Sequence, residues 1–241
     1  MSAAIPTWPQ ATAVSDLATP CRDVVEAVSG RRSIRCFLPD RVDECVVTEI
    51  LRAASRAPSG TNIQPWRVHV VTGDTRERLS RAALAAAETD ETSLEYAYLP
   101  AVMKEPYRSR RRKIGFDLYA KYGVERHDMA GRKAAMLRNF TFFGAPVGLF
   151  FAMDRDMALG AWLDCGMFMQ NVMVVARAYG LETCPQQAWC DLGAVVHREL
   201  GVPDEHIILS GMALGHAKRD AMVNTLASER VAPEDFTTWH R

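Results

Sequence analysis

The apolar segment at residues 157–179 constrains the fold more than any other part of the chain. It predicts a long helix that is hydrophobic most of the way around, so this helix should lie at the centre of the structure. Small residues within it, Gly160, Ala161, Gly166 and Ala176, would let a neighbouring element approach closely. No apolar run reaches the roughly 18 residues that a membrane span needs. We therefore expect a core helix and no membrane association.

Shorter elements are predicted on both sides of this helix. Helical periodicity and end signals favour helices at residues 22–29, 41–56, 75–87 (with Thr75 as N-cap), 128–143 and 192–200. Runs of β-branched or buried apolar residues favour strands at 67–72, 147–153 and 207–213. Helices that cluster around a few strands indicate an α+β or α/β protein.

Composition excludes several classes of protein. The 241 residues are 48% hydrophobic with zero formal net charge, which favours one globular domain over a nucleic-acid or membrane-surface binder. Residues 1–20 lack the pattern of a signal peptide and are expected to form a flexible N-terminal arm. The six cysteines form no CxxC pair and no zinc-like cluster with histidine, so we expect reduced thiols, a cytoplasmic protein and no metal site.

A cluster of arginines follows the first predicted helix. Arg31, Arg32, Ser33 and Arg35 put three guanidinium groups and a hydroxyl within five residues. In an extended stretch alternate residues face the same way, so Arg31, Ser33 and Arg35 can converge on one ligand. Arginine binds phosphate bidentately, which makes this segment a candidate phosphate site. An exposed basic loop is the alternative for these residues taken alone.

A loop of small residues comes about 25 residues later and leads into the strand at 67–72. Pro58 fixes its own φ, Gly60 permits unusual backbone conformations, and Asn62 offers both a donor and an acceptor. Such a loop lets a flat ligand lie against the backbone. The full motif is Pro58, Ser59, Gly60, Thr61, Asn62, Ile63, Gln64, Pro65 and Trp66.

The order and spacing of these two motifs resemble the N-terminal signature of the nitroreductase family of flavoproteins, and the resemblance spans most of the chain. It implies a mixed sheet flanked by helices and an intertwined homodimer with two flavin mononucleotide (FMN) sites at the interface. It assigns FMN contacts to Arg31, Arg32, Ser33, Arg35, Pro58, Ser59, Gly60, Asn62 and Gln64. It also implies that the arginine segment and the loop serve one flavin from different subunits.

Further site residues follow from the same resemblance. The segment after the long helix would supply a backbone N–H to flavin N5 from Gln187, with Pro185 and Gln186 as neighbouring contacts. Several family members carry an acidic residue at the position of Gln187, a change that a backbone donor tolerates. Arg35 is the candidate positive charge near flavin N1. Arg230 is the best match to a C-terminal phosphate ligand, with Lys218 and Arg219 as alternatives.

The predicted domain organisation has three parts: the arm at 1–20, an FMN domain at 21–219, and a tail at 220–241 that wraps the partner. Residues 91–124 form an excursion rich in tyrosine and charge, resembling a lid of the nitrobenzoate reductase-like subgroup. Its basic run, residues 108–113, is more typical of a solvated helix face than of a nucleic-acid patch. Lys104, Arg108 and Arg110 are candidates to bind a carboxylate of the substrate.

The implied activity is oxidoreduction with a ping-pong mechanism. NADPH or NADH passes hydride to FMN and leaves, and a nitroaromatic or similar planar acceptor then takes two electrons. The alternatives are a reductive dehalogenase of the iodotyrosine deiodinase type, the flavin-cleaving enzyme of cobalamin lower-ligand synthesis, a non-catalytic flavin-binding protein and a non-flavin binding module. The physiological acceptor and the choice between the two nicotinamides stay open at the level of sequence.

Overall fold

A computed structural model describes residues 22–89 and 91–241; the expected arm at residues 1–20 lies outside them. Seven α-helices occur in the described residues: α1 (Arg22–Gly30), α2 (Glu44–Ala54), α3 (Gly73–Glu88), α4 (Tyr107–Lys121), α5 (Met129–Leu137), α6 (Leu159–Ala178) and α7 (Gly193–Leu200). The four strands are β1 (Arg67–Val71), β2 (Val147–Asp154), β3 (Glu182–Gln186) and β4 (His206–Gly215).

The four strands form one sheet in the order β1-β2-β4-β3. Every neighbouring pair in this sheet is antiparallel, and a bulge interrupts the β2–β4 ladder between Phe151 and Ala152. Parallel pairing occurs in the described residues only as isolated bridges, from Ser33 to Thr183 and from Ser93 to Leu192. The α+β class is therefore confirmed. The four-stranded sheet itself is antiparallel, and of the two parallel bridges only the one from Ser33 to Thr183 involves a strand of the sheet.

The central strands β2 and β4 are buried on both faces, so the sheet separates two cores. Side chains alternate along a strand. Phe150 and Ala152 therefore join an aromatic core with α3 and α7. Leu149 and Phe151 join the other core with α2 and α6.

Helix α6 is central, as the sequence predicts, but only on one face. Phe168, Val172 and Ala176 are buried against the sheet, whereas Leu159 and Leu163 are 82% and 71% exposed. With 20 residues and a mean hydropathy of 1.3 the helix is long and apolar enough to cross a membrane, so the expectation that no apolar run reaches that length is wrong. A core position accounts for this composition, because Phe168, Val172 and Ala176 belong to the core shared with α2 and the sheet.

Three predicted elements differ from the structure. Helix α3 has its N-cap at Thr72, which is extended, and Thr75 lies inside the helix. The segment predicted as one helix at 128–143 ends at Leu137, and a tight turn follows in which the buried residues Phe142 and Phe143 have positive φ. Packing both rings into the aromatic core outweighs helix propensity there.

The third difference is β3, which is absent from the strands that the sequence predicts. Pro185 lacks a backbone N–H, and a proline inside a strand usually argues against that assignment. Here β3 is an edge strand, where one free backbone position is tolerated. In the excursion, no residue of α4 is buried, which confirms the basic run as a solvated helix face.

Candidate active site

The arginine segment runs beside β3 in an extended conformation. The amide of Ile34 donates to the carbonyl of Thr183 at 3.0 Å. The side chains of Arg31, Ser33 and Arg35 all interact with the buried thiol of Cys184, whose pKa burial raises to about 11. Arg32 is exposed and lines a separate groove of about 920 Å³. The structure thus brings Arg31, Ser33 and Arg35 together and turns Arg32 away.

Arg230 of the tail joins this group. Burial lowers the pKa of the Arg31 guanidinium, and the nearby charge of Arg230 lowers it further. Among the described residues, none of Arg31, Arg35 and Arg230 forms a salt bridge with a carboxylate. Within the part of the chain that the structure describes, Arg230 donates hydrogen bonds only to the hydroxyl and carbonyl oxygens of Ser228 and to the carbonyl oxygen of Glu229. The three cations form no salt bridge within the described ranges, although the charge of Glu182 also acts on Arg31. A phosphate fits this donor set.

Asn224 fixes the arginine segment to the tail. Its side-chain oxygen accepts from the amide of Arg35 at 2.8 Å. Its side-chain nitrogen donates to the carbonyls of Cys36 at 2.7 Å and Lys218 at 2.9 Å. The residue is 8% exposed, so all three hydrogen bonds are shielded from water. This single side chain therefore sets the distance between two parts of the cation cluster.

Replacing Asn224 with alanine should loosen that cluster. The substitution leaves the amide of Arg35 unpaired, at a cost of about 1–3 kcal/mol, whereas the carbonyls of Cys36 and Lys218 each keep a backbone amide as partner. We expect a lower unfolding temperature and weaker FMN binding, measured by thermal denaturation and by fluorescence titration. The matched control is Thr225→Ala, because the Thr225 hydroxyl contacts only Met222. Equal effects of the two substitutions would show that Asn224 has no special role.

The small-residue loop packs against α6 instead of the arginines. The amide of Gly60 donates to the carboxylate of Asp164 at 3.2 Å. Positive φ occurs at Thr61, Asn62 and Gln64, and Gly60, expected to supply the unusual conformation, is not among these positions. Each such non-glycine residue costs on the order of 1 kcal/mol or more, and clustered strain of this kind is typical of ligand-binding segments.

The loop and the arginine cluster lie near opposite ends of α6. The loop is held by Asp164, whereas Arg31 lies near Arg177. At a rise of about 1.5 Å per residue, these two positions on α6 are about 20 Å apart. Within one chain, the two predicted halves of the flavin site are therefore separated.

The candidate hydride-transfer residue Gln187 begins a tight turn, Gln187–Asp191, directly after β3. The side-chain amide of Gln186 donates to the carbonyl of Asn139 at 2.7 Å. Trp189, fully buried, packs within 5.2 Å (between ring centroids) of Phe140, Phe142 and Phe150. The turn therefore rests on a rigid aromatic base.

Tyr96 is a contact of Gln187 that sequence reasoning missed. Its hydroxyl donates to the carbonyl of Leu209 at 2.6 Å, and its ring packs edge-on against Trp162 of α6. Burial raises the pKa of Tyr96 well above its usual value, while the side-chain amide of Gln187 acts in the opposite direction. The start of the excursion is thereby tied to the turn. No local sequence pattern indicates this contact, because 91 residues separate the two positions.

Comparison with known proteins identifies the family of this chain. The nitroreductase family model matches residues 28–216. The chain is 39% identical over 215 residues to 4-nitrobenzoate reductase of Pseudomonas putida, covering 89% of this chain and 94% of that protein. It is 39% identical over 216 residues to chloronitrobenzene nitroreductase of Comamonas testosteroni, covering 89% and 95%. The chain belongs to the nitroreductase family.

Solved structures show the same fold. The FMN and NADPH-dependent nitroreductase NfnB of Sphigopyxis sp. strain HMH superposes with a TM-score of 0.89 at 40% identity, over 90% of this chain and 99% of that one. NfnB of Mycobacterium smegmatis, solved in complex with NADPH, gives a TM-score of 0.88 at 29% identity, over 91% and 99%. The resemblance predicted from the two N-terminal motifs is confirmed.

Proposed function

We propose that this protein is an FMN-dependent oxidoreductase that takes electrons from NADPH or NADH and reduces a nitroaromatic acceptor. The observation that carries this proposal is the cluster of Arg31, Arg35 and Arg230, which forms no salt bridge among the described residues and lies by the strand that leads into the Gln187 turn. The names of the relatives and of the superposed structures, which include FMN, NADPH and nitrobenzoate, support the same conclusion.

Each residue has a defined task in holding FMN. Arg31 and Arg230 bind the phosphate, because their charges act on each other and neither forms a salt bridge among the described residues. Arg35 places a positive charge farther along the extended segment, where it stabilises negative charge on the flavin ring. Gln187 presents its backbone N–H to flavin N5. The wall of the site between Arg35 and Gln187 is formed by Ser33, Pro185 and Gln186.

Bound FMN supplies the redox chemistry, accepting hydride from the nicotinamide and returning two electrons to the nitro compound, in ping-pong order. The protein contributes orientation. The aromatic base under Trp189 keeps the Gln187 turn in place, and Tyr96 holds the excursion against it. The excursion also limits the access of water to the site.

A homodimer completes the site. The exposed face of α6 carries Leu159, Leu163 and Met167, and the tail ends in Phe236 and Trp239, which are 70% and 78% exposed. Two α6 helices that pack antiparallel across a twofold axis bring the loop of one chain to the arginine cluster of the other. Pro58, Ser59, Gly60, Asn62 and Gln64 then contact a flavin whose phosphate is held by the partner. The tail at 220–241 wraps the other subunit.

The substitution Leu163→Arg tests this assembly. A charge in the middle of the apolar stripe is costly to bury, so we expect monomers in sedimentation experiments and loss of bound FMN. Met129→Arg is the control, since Met129 is 70% exposed on α5, away from the stripe. A Leu163→Arg protein that remains a dimer with full flavin content would contradict the proposed interface.

The visible spectrum tests the function itself. Flavin bands should appear in the purified protein or after addition of FMN, bleach with NADPH in the absence of oxygen, and return with a nitrobenzoate. Flavin that binds but is not bleached by either nicotinamide would indicate a flavin-binding protein without turnover. A protein that remains colourless with added FMN would exclude the proposal.

A further inference from the structure

Tyr122, at the end of α4, has a buried hydroxyl surrounded by arginines. The Tyr122 hydroxyl donates no hydrogen bond to another described residue, and the Arg138 guanidinium is close enough to act on it. The guanidinium carbon of Arg138 lies 5.5 Å from the centre of the tyrosine ring. Burial raises the pKa of this hydroxyl, and the nearby charges of Arg138 and Arg35 oppose that rise. An unpaired buried hydroxyl costs about 1–3 kcal/mol, so a ligand that accepts a hydrogen bond from it recovers that free energy.

Arg138 has no acidic partner. It caps the C-terminal end of α5, and among residues 22–89 and 91–241 it forms no salt bridge. Its planar group can bind a carboxylate through two parallel hydrogen bonds. Arg138 and Tyr122 therefore offer one cationic fork and one neutral donor at the same place, and Arg35 adds a second positive charge.

This pair lies near the proposed electron-transfer turn, and Arg35 and Cys184 also act on Tyr122. Arg138 precedes Asn139, whose carbonyl accepts from the Gln186 side chain at 2.7 Å, and Gln187 follows directly. The phosphate is assigned to Arg31 and Arg230. An anion bound by Tyr122 and Arg138 is thus a second anion, in the position where the electron acceptor must approach.

We propose that Tyr122 and Arg138 form a subsite for the carboxylate of an acidic electron acceptor such as a nitrobenzoate. This inference rests on the proposed function. It assigns the carboxylate to residues other than the lid cations considered from the sequence. Arg108 is paired with Glu105 at 2.7 Å, and Arg110 lies over the ring of Tyr107, both on the exposed helix α4.

The test compares a charged and a neutral acceptor. Arg138→Met and Tyr122→Phe should each raise KM for 4-nitrobenzoate, Arg138→Met by about tenfold or more, as the loss of a charged hydrogen bond predicts. KM for nitrobenzene and the FMN content should not change. Calorimetric titration with benzoate, which is not reduced, should show the same weakening without any turnover. Arg126→Met is the control, because Arg126 makes a similar contact with the ring of Phe116 at 5.7 Å.

Each of the following outcomes would contradict the proposed subsite. Equal losses with nitrobenzoate and nitrobenzene would mean that Arg138 acts on the turn rather than on the carboxylate. Loss of FMN from the Arg138→Met protein would make Arg138 a flavin ligand. Unchanged benzoate affinity would exclude the contact. Failure of the proposed function is distinguishable, because the unsubstituted protein would then reduce neither acceptor.

Discussion

Arg31→Met should cause the largest loss of FMN affinity of any single substitution in this chain. The methionine keeps the aliphatic stem and removes the charge that faces Arg230. Hydrogen bonds to charged groups contribute about 1.5–3 kcal/mol, so the dissociation constant of FMN should rise by about 10- to 100-fold. Fluorescence titration of the flavin measures it directly. The free energy of unfolding of the flavin-free protein should change little, because the substitution removes both the repulsion from Arg230 and the attraction to Glu182.

The neighbouring residue provides the contrast for this experiment. Arg32→Met removes the same charge one position along the chain, where the side chain lines the groove on the other side of the segment. Its effect on FMN affinity should be much smaller than that of Arg31→Met. Equal losses at the two positions would show that overall positive charge, and not the geometry of the cluster, attracts the flavin.

Gly211→Ala should give the largest loss of stability. A Cβ at position 211 of β4 would overlap the ring of Trp189, and that ring is fully buried among phenylalanines. Overpacking of a core costs about 1–3 kcal/mol, which lowers the unfolding temperature of a protein of this size by several degrees. Because Trp189 belongs to the Gln187 turn, the rate of flavin reduction by NADPH should fall as well, as stopped-flow absorbance would show.

The matched substitution is Gly115→Ala on α4. A Cβ there meets nothing within 4 Å, and alanine favours a helix over glycine by about 1 kcal/mol. This variant should be as stable as the unsubstituted protein or slightly more so, with unchanged flavin reduction. If Gly211→Ala behaves in the same way, the aromatic base does not position the turn.

The arginine segment could be predicted from sequence because the directions of its side chains depend only on neighbouring residues. Alternation in an extended chain places Arg31, Ser33 and Arg35 on one side, and the structure brings these three side chains to Cys184 while Arg32 lines another groove. The long helix could also be predicted from sequence, since its apolar composition alone requires that part of the helix is buried. Its exposed apolar face could not be predicted from sequence, because that face depends on how the helix packs within one chain.

Other parts of the site depend on contacts between distant residues. Asn224 holds Arg35 across 189 positions, and Tyr96 reaches Leu209 across 113, so no periodicity can indicate either bond. The positive φ values at Phe142 and Phe143 arise from core packing that overrides helix propensity. No sequence motif surrounds Arg138. The pair is identified only in the structure, where the Arg138 guanidinium lies over the ring of Tyr122.

Subunit mixing tests the central claim, that two chains build each site, most directly. Arg31→Met damages the arginine half, and Asn62→Trp fills the space beside the loop; each homodimer should then bind FMN poorly. When the two variants are unfolded and refolded together, random pairing should leave about a quarter of all sites intact, because half of the dimers are mixed and each has one undamaged site. Recovery of that fraction of FMN binding and NADPH oxidation is the expected result. A mixture with no more bound flavin than the separate variants would contradict the shared site.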